Sequence, residues 1–99
     1  MAKDKNTLIS EIEAHLASCG GTYPQWYVGI AADVRDRLFN GHAVKQEGDA
    51  WIYRQCDTSA VARAIEDHFV SLGLKGGPGG GDSSTRFVYA YKIAAHTVE

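Results

Sequence analysis

Three side chains in residues 26–42 could act together on a phosphate group. Tyr27 carries a hydroxyl, Arg37 a permanent planar cation, and His42 an imidazole that gains or loses a proton near neutral pH. An arginine binds phosphate charge, and the other two groups can position a proton or transfer it. The secondary structure of this segment must therefore bring the three side chains together.

The pattern of this segment changes from that of a strand to that of a helix. Residues 26–31 are β-branched, aromatic or small, and strand alternation would place Tyr27 and Gly29 on the face opposite the core. Gly29 would then leave open space beside the Tyr27 hydroxyl. Asp33 is expected to cap a helix over residues 33–39, with Gly41 at its C-cap.

The order of these residues resembles a known signature. Tyr27-Val28-Gly29, followed by Asp33, Arg37 and His42, is similar to the second half of the signature of the GIY-YIG endonuclease superfamily. The strand-like sequence WIYRQC at residues 51–56 and a helix carrying Glu66 then follow in the order of that family's third strand and metal-binding glutamate. The resemblance covers residues 26–69.

The resemblance implies a DNA endonuclease that hydrolyses phosphodiester bonds with Mg²⁺ or Mn²⁺. In this interpretation Glu66 binds the metal ion and Arg37 steadies the phosphate. Tyr27, or a second tyrosine near it, orients or deprotonates the attacking water, helped by a pKa that the metal and the arginine lower. His42 relays the proton or contacts phosphate. The substrate would also contact Gly29, Arg35 and Lys92.

The family's first tyrosine has no counterpart at its usual place in this chain. The nearest candidate, Tyr23, lies too close to Tyr27 for a hairpin to join two strands. If the C-terminal strand lies beside the strand of Tyr27, then Tyr89 or Tyr91 could supply that hydroxyl. Both could equally be core aromatics. The family's asparagine after the glutamate helix is also absent, and Asp82, Ser83 or Ser84 could stand in for it.

The rest of the chain alternates helices with strands. A first helix, capped by Asn6 or Thr7 and ended by Gly20, has the apolar stripe Leu8, Ile9, Ile12 and Leu16. A strand over residues 51–56 is expected beside the strand of Tyr27. A later helix, capped by Asp57, Thr58 or Ser59, has the stripe Val61, Ile65, Phe69 and Leu72. A last strand spans residues 86–93, and a short tail follows it.

These elements predict one α+β domain over residues 1–99, with a small three-stranded mixed or antiparallel sheet flanked by helices and an extra N-terminal helix. Glu66 is expected at the margin of its helix's buried stripe, where it could reach a cleft; the alternative is a surface glutamate paired with Arg63 or another basic neighbour. The glycine-rich residues 76–81 are expected to form a loop bordering the site. The less favoured alternative is a loop whose backbone N–H groups bind phosphate.

Composition narrows the possible functions. The chain has 99 residues, 44% of them hydrophobic, and a net charge of −2, which argues against a broad non-specific grip on nucleic acid but permits a local basic face. No leader or long apolar run is evident, so we expect a cytoplasmic protein without a membrane partner. Cys19 and Cys56 lack metal-ligand spacing, which favours reduced thiols. The functions left open are a DNA nuclease, an inactive nucleic-acid-binding module on the same scaffold, and an unrelated small α/β protein-interaction domain.

Overall fold

The computed structural model describes residues 4–76 and 85–98. The possible substitutes for the missing asparagine, Asp82, Ser83 and Ser84, lie outside the described residues, as does most of the glycine-rich segment. Within the described ranges, no helix is both long and apolar enough to cross a membrane.

The described residues form an α+β domain, which confirms the predicted class. Its helices are α1 (Lys5–Cys19), α2 (Val34–Asp36, continued by a π-helical turn, Arg37–Gly41) and α3 (Ser59–Leu72). Its strands are β1 (Trp26–Ala31, after the 3₁₀ turn Tyr23–Gln25), β2 (Trp51–Gln55), β3 (Lys75–Gly76) and β4 (Phe87–Lys92).

Among the described residues, the sheet has four strands in the order β2-β4-β1-β3, so the prediction of three strands was wrong. The additional strand, β3, pairs in parallel with Tyr27 and Val28. Gly73 ends α3 in a left-handed conformation with φ 116°, and the chain returns at once to the edge of β1. Sequence patterning missed β3 because two residues joined through their backbones leave no alternation of side chains.

The C-terminal strand β4 lies between β1 and β2 and is antiparallel to both. It is therefore the neighbour of β1, as the hypothesis about Tyr89 and Tyr91 required. The expectation that β2 pairs with β1 was wrong. The four central residues of β4 are all buried, as expected of an internal strand that is covered on both faces.

Side-chain caps fix where the two long helices begin. Asp4 caps α1 by accepting a hydrogen bond of 2.8 Å from the Thr7 N–H, so the predicted caps Asn6 and Thr7 lie inside the helix. Hydrogen bonding to the Thr7 backbone also lowers the pKa of Asp4. Thr58, one of three predicted candidates, caps α3 through the Val61 N–H.

The two faces of the sheet bury different sets of residues. Helices α1 and α3 pack on one face, where Ile12 and Ile65 are fully buried, as their spacing predicted. Leu38 of the π-helical turn is fully buried on the other face, against Tyr89 and Tyr91. Leu72, predicted to belong to the buried stripe of α3, is 36% exposed at the last residue of the helix. The face under Leu38 is the one that also carries Tyr27.

Candidate active site

The register of β1 against β4 collects tyrosines on one face of the sheet. Tyr27 lies opposite Tyr91, and Gly29 lies opposite Tyr89. Because side chains alternate along both strands, these residues share the face covered by the π-helical turn. The Tyr27 ring stacks on that of Tyr91, with centroids 5.3 Å apart and planes inclined by 24°. Residues 60 or more positions apart in the chain thus become direct neighbours.

The π-helical turn brings His42 onto this face. The His42 N–H donates to the Arg37 carbonyl over five residues at 2.9 Å, one residue more than an α-helix allows. The sequence predicted a regular helix capped at Gly41, whereas Gly41 lies inside the π turn and His42 follows it as the C-cap. With only 6% exposure, the His42 side chain is buried among the tyrosine rings.

His42 connects two hydroxyl groups and one backbone carbonyl. Its Nδ1 lies 2.6 Å from the carbonyl oxygen of Val98, and its Nε2 lies 2.6 Å from the Tyr89 hydroxyl. A carbonyl oxygen can only accept, so Nδ1 carries a proton. In neutral His42, Nε2 then accepts from the Tyr89 O–H. The Tyr91 hydroxyl belongs to the same network. It lies 3.1 Å from His42 Nδ1 and donates a hydrogen bond of 3.3 Å to the Val98 carbonyl oxygen.

Tyr89 is a neutral phenol in this arrangement. Burial is the main cause that raises its pKa, and the neighbouring Tyr27 acts in the same direction. The charge of Arg37 lowers the pKa without cancelling the rise, and the carboxylate of Glu66 raises it further. Hence the expected lowering of a tyrosine pKa by the arginine is not the net result at Tyr89. The same interactions link Arg37 and Glu66 electrostatically to this hydroxyl.

Gly29 leaves the space that the Tyr89 ring occupies, and in this sense it is the seat of that ring. The sequence predicted open space here beside the Tyr27 hydroxyl, but Tyr89 fills it: a Cβ built on Gly29 would lie 2.9 Å from Tyr89 Cε2 and closer still to its Cζ and hydroxyl oxygen. The absent side chain at Gly29 therefore lets the Tyr89 hydroxyl approach His42.

Tyr27 and Arg37 form the accessible side of the cluster. Tyr27 is half-buried, whereas Tyr89 and Tyr91 are buried, and its ring centroid is 4.8 Å from that of His42. Arg37 is exposed, and its aliphatic part runs beside Gly41. A ligand arriving from solvent would meet Tyr27 and Arg37 before the buried residues.

Glu66 is more deeply placed than the margin position that the sequence predicted. It is 7% exposed and belongs to the buried side of α3 with Ala62 and Ile65. Burial raises its pKa, the neighbouring Asp67 adds to the rise, and Arg63 acts against it. Although α3 packs its apolar residues on the opposite face of the sheet, the Glu66 charge influences the Tyr89 hydroxyl.

Two predicted substrate-binding residues do not join the cluster. Lys92 alternates with Tyr91 along β4, so its side chain points to the opposite face of the sheet, where its end approaches Gly21. Arg35 lies over the Phe39 ring, 5.2 Å from its centroid, and donates to the Gln46 side chain.

Sequence reasoning missed the contribution of Val98. The contact uses a backbone carbonyl, which every residue carries, so no residue type could have signalled it. The hydrogen bond between His96 and Asp49, which connects the same tail to the loop before β2, was also missed. A histidine and an aspartate 47 positions apart give no local pattern.

A scan against protein-family models, a search of curated proteins and a search of solved structures each found no match to this chain.

Proposed function

We propose that this protein is a divalent-metal-dependent DNA endonuclease of the GIY-YIG type. The observation that carries the proposal is the surroundings of the Tyr89 hydroxyl. This group seats on Gly29 and bonds to His42, and the charges of Arg37 and Glu66 both act on it. A hydroxyl that is bonded to an imidazole and lies within the electrostatic influence of a cation and a carboxylate has the kinds of group that phosphodiester hydrolysis requires.

The pairing of β4 with β1 supports Tyr89 as the counterpart of the family's first tyrosine. In the family the two tyrosine strands form a hairpin and are therefore antiparallel neighbours. Here β4 is the antiparallel neighbour of β1 although it comes last in the chain, and it sets Tyr89 opposite Gly29. In this proposal Tyr89 takes the place of the first tyrosine because of where β4 lies in the sheet, although β4 comes last in the sequence.

Each residue has a role that follows from its position. Arg37, exposed to solvent, binds the scissile phosphate with its planar guanidinium. Tyr27, half-buried beside His42, orients the attacking water. The Tyr89 oxygen accepts the water's proton as the Tyr89 proton moves to His42 Nε2, which leaves His42 as an imidazolium. This concerted transfer avoids the phenolate form of Tyr89, which burial disfavours.

Glu66 is the residue that would hold the metal ion. Within the described ranges, no three or more His, Cys, Asp and Glu side chains are grouped so that they could bind a metal. A single carboxylate fits Mg²⁺ or Mn²⁺, since magnesium keeps several waters and takes its other ligands from substrate phosphates. When bound, the ion would supply positive charge at the scissile phosphate and its leaving oxygen.

The variant Glu66→Gln tests metal binding separately from DNA binding. Glu66→Gln keeps the size of the side chain but removes its charge, so it should abolish magnesium- and manganese-dependent nicking of plasmid and branched DNA. Binding in a gel shift should stay equal or become slightly tighter, because a repulsive charge is lost. Glu47→Gln, at an exposed loop position, is the matched control. Cleavage that survives Glu66→Gln would contradict the metal role.

An arginine pair separates chemistry from affinity in the same assays. Arg37→Ala should lower both cleavage and binding. Arg35→Ala, two residues away and occupied with Phe39 and Gln46, should affect binding alone. Equal losses of cleavage at saturating DNA in the two variants would remove the special role of Arg37.

The wild-type result distinguishes the alternative functions. Binding to DNA without cleavage of any substrate would favour the inactive nucleic-acid-binding module, which the net charge of −2 would suit only with a small contact area. If the protein neither binds nor cleaves DNA, the protein-interaction domain becomes the favoured function.

A further inference from the structure

The tail that follows β4 is folded into a defined turn. The Ala94 N–H donates to Thr97 Oγ1 at 2.9 Å, and the Ala94 carbonyl accepts from both the Thr97 hydroxyl at 2.9 Å and the Thr97 N–H at 3.1 Å. We call residues 94–98 the strap. The turn in the strap places the backbone of Val98 beside His42.

Val98 contacts His42 through its backbone and not through its side chain. Its N–H donates to the His42 carbonyl at 2.8 Å, while its own carbonyl accepts from His42 Nδ1 at 2.6 Å. The Val98 residue is 57% exposed, so burial of its side chain cannot be what holds the strap in place. The strap therefore docks on His42 by directed hydrogen bonds, which fix both the main chain and the ring of that residue.

A second contact ties the strap to the loop before β2. His96 Nε2 donates to Asp49 Oδ2 at 2.5 Å, and the same oxygen accepts from the Lys45 N–H at 2.8 Å. Burial acts to raise the pKa of Asp49, but the hydrogen bonds from Lys45 and His96 outweigh it, and the pKa is lowered. Asp49 is thus an ionised anchor, and His96 is the residue of the strap that it holds.

We propose that the strap is a positioning element for His42: the Val98 carbonyl fixes the Nδ1–H tautomer, and the His96–Asp49 contact keeps that carbonyl in place. The catalytic consequence of this inference rests on the proposed function. With the proton held on Nδ1, Nε2 is left to accept from Tyr89. In the other tautomer Nε2 carries the proton and cannot accept.

Nitrogen NMR of histidine-labelled protein tests the tautomer directly. Val98→Pro removes the N–H that donates to His42, and His96→Ala removes the link to Asp49. In both variants the His42 signals should change from one Nδ1–H form to a mixture of tautomers. Val98→Ala keeps the backbone and should keep the wild-type signals. His68→Ala, a half-buried histidine on α3, controls for the loss of an imidazole.

Cleavage kinetics connect the tautomer with the reaction. If the protein cleaves DNA, His96→Ala should lower kcat by at least about tenfold with little change in KM, because a wrong histidine tautomer impairs proton transfer and not binding. His68→Ala should retain the wild-type kcat.

The two proposals fail in different ways. A protein that cleaves nothing, but whose His42 loses its single tautomer in His96→Ala and Val98→Pro, would support the strap and contradict the nuclease. A His42 that keeps one Nδ1–H form in both variants, with the fold intact by backbone NMR, would overturn the strap whatever the enzyme does. If Val98→Pro fails to fold, His96→Ala decides the question.

Discussion

Adding one methyl group at Gly29 should disrupt the centre of the candidate site. In Gly29→Ala the new Cβ would lie 2.9 Å from Tyr89 Cε2, and closer to its Cζ and hydroxyl oxygen, which is well inside van der Waals contact. Tyr89 is 2% exposed and its hydroxyl is held 2.6 Å from His42 Nε2, so the ring cannot turn out into solvent. Overpacking of this kind costs about 1–3 kcal/mol of unfolding free energy.

Urea denaturation with thermal melting measures this loss. For a domain of this size each kcal/mol corresponds to roughly 4–8 °C in Tm, so a lower Tm should be clear. Gly41→Ala is the matched control, since its Cβ meets mainly the flexible side chain of Arg37, at 3.2 Å. Alanine is favoured over glycine in a helix, and this variant should be neutral or more stable by up to about 1 kcal/mol.

A double-mutant cycle with Tyr89→Phe identifies the source of the effect. Tyr89→Phe alone loses a buried hydrogen bond, at about 0.5–1.5 kcal/mol. It also removes the hydroxyl oxygen that the new methyl would strike, so the double variant should be less destabilised than the sum of the single variants. Wild-type stability in Gly29→Ala, or strict additivity in the cycle, would refute the assignment of Gly29 as the seat of Tyr89.

Three further outcomes follow from single groups. The folded state raises the pKa of Glu66, so ionisation of this carboxyl lowers the free energy of unfolding as pH rises through that pKa. Glu66→Gln should therefore have a higher Tm than wild type at neutral pH and the same Tm at acidic pH. Asp4→Ala removes the cap of α1 and should cost about 0.5–2 kcal/mol in denaturant titrations, with Asn6→Ala as a milder control. Cys19 is exposed, while burial raises the pKa of Cys56 to about 11, so a thiol reagent at neutral pH should label Cys19 first; equal labelling in the folded protein would contradict the burial of Cys56.

The sequence alone was sufficient to predict which faces of α1, α3 and β1 are buried. The stripe of α1 and that of α3 repeat with the helical period, and alternation in β1 assigned Trp26 and Tyr27 to opposite faces. These features depend on neighbours within a few residues, which the sequence states directly. The same is true of the Asp33 cap, whose side chain accepts the Asp36 N–H.

The candidate site depended on longer-range contacts and was only partly predictable. Residue types and a family resemblance selected Tyr27, Arg37, His42 and Glu66. Whether Tyr89 or Tyr91 would supply the second hydroxyl was left open by the sequence; the register of β4 places Tyr89 opposite Gly29, with its hydroxyl at His42 Nε2. Lys92, on the same strand, points to the face opposite Tyr91, a separation that depends on the placement of β4 in the sheet.

Tertiary structure alone decided the strand order, the two-residue strand β3 and the contact of Val98 with His42. All three use backbone N–H and C=O groups, which are chemically alike at nearly every residue, between parts of the chain that are distant in sequence. Side-chain patterns record which face of an element is buried. They do not record which backbone lies beside it, and that choice is made only when the whole core packs.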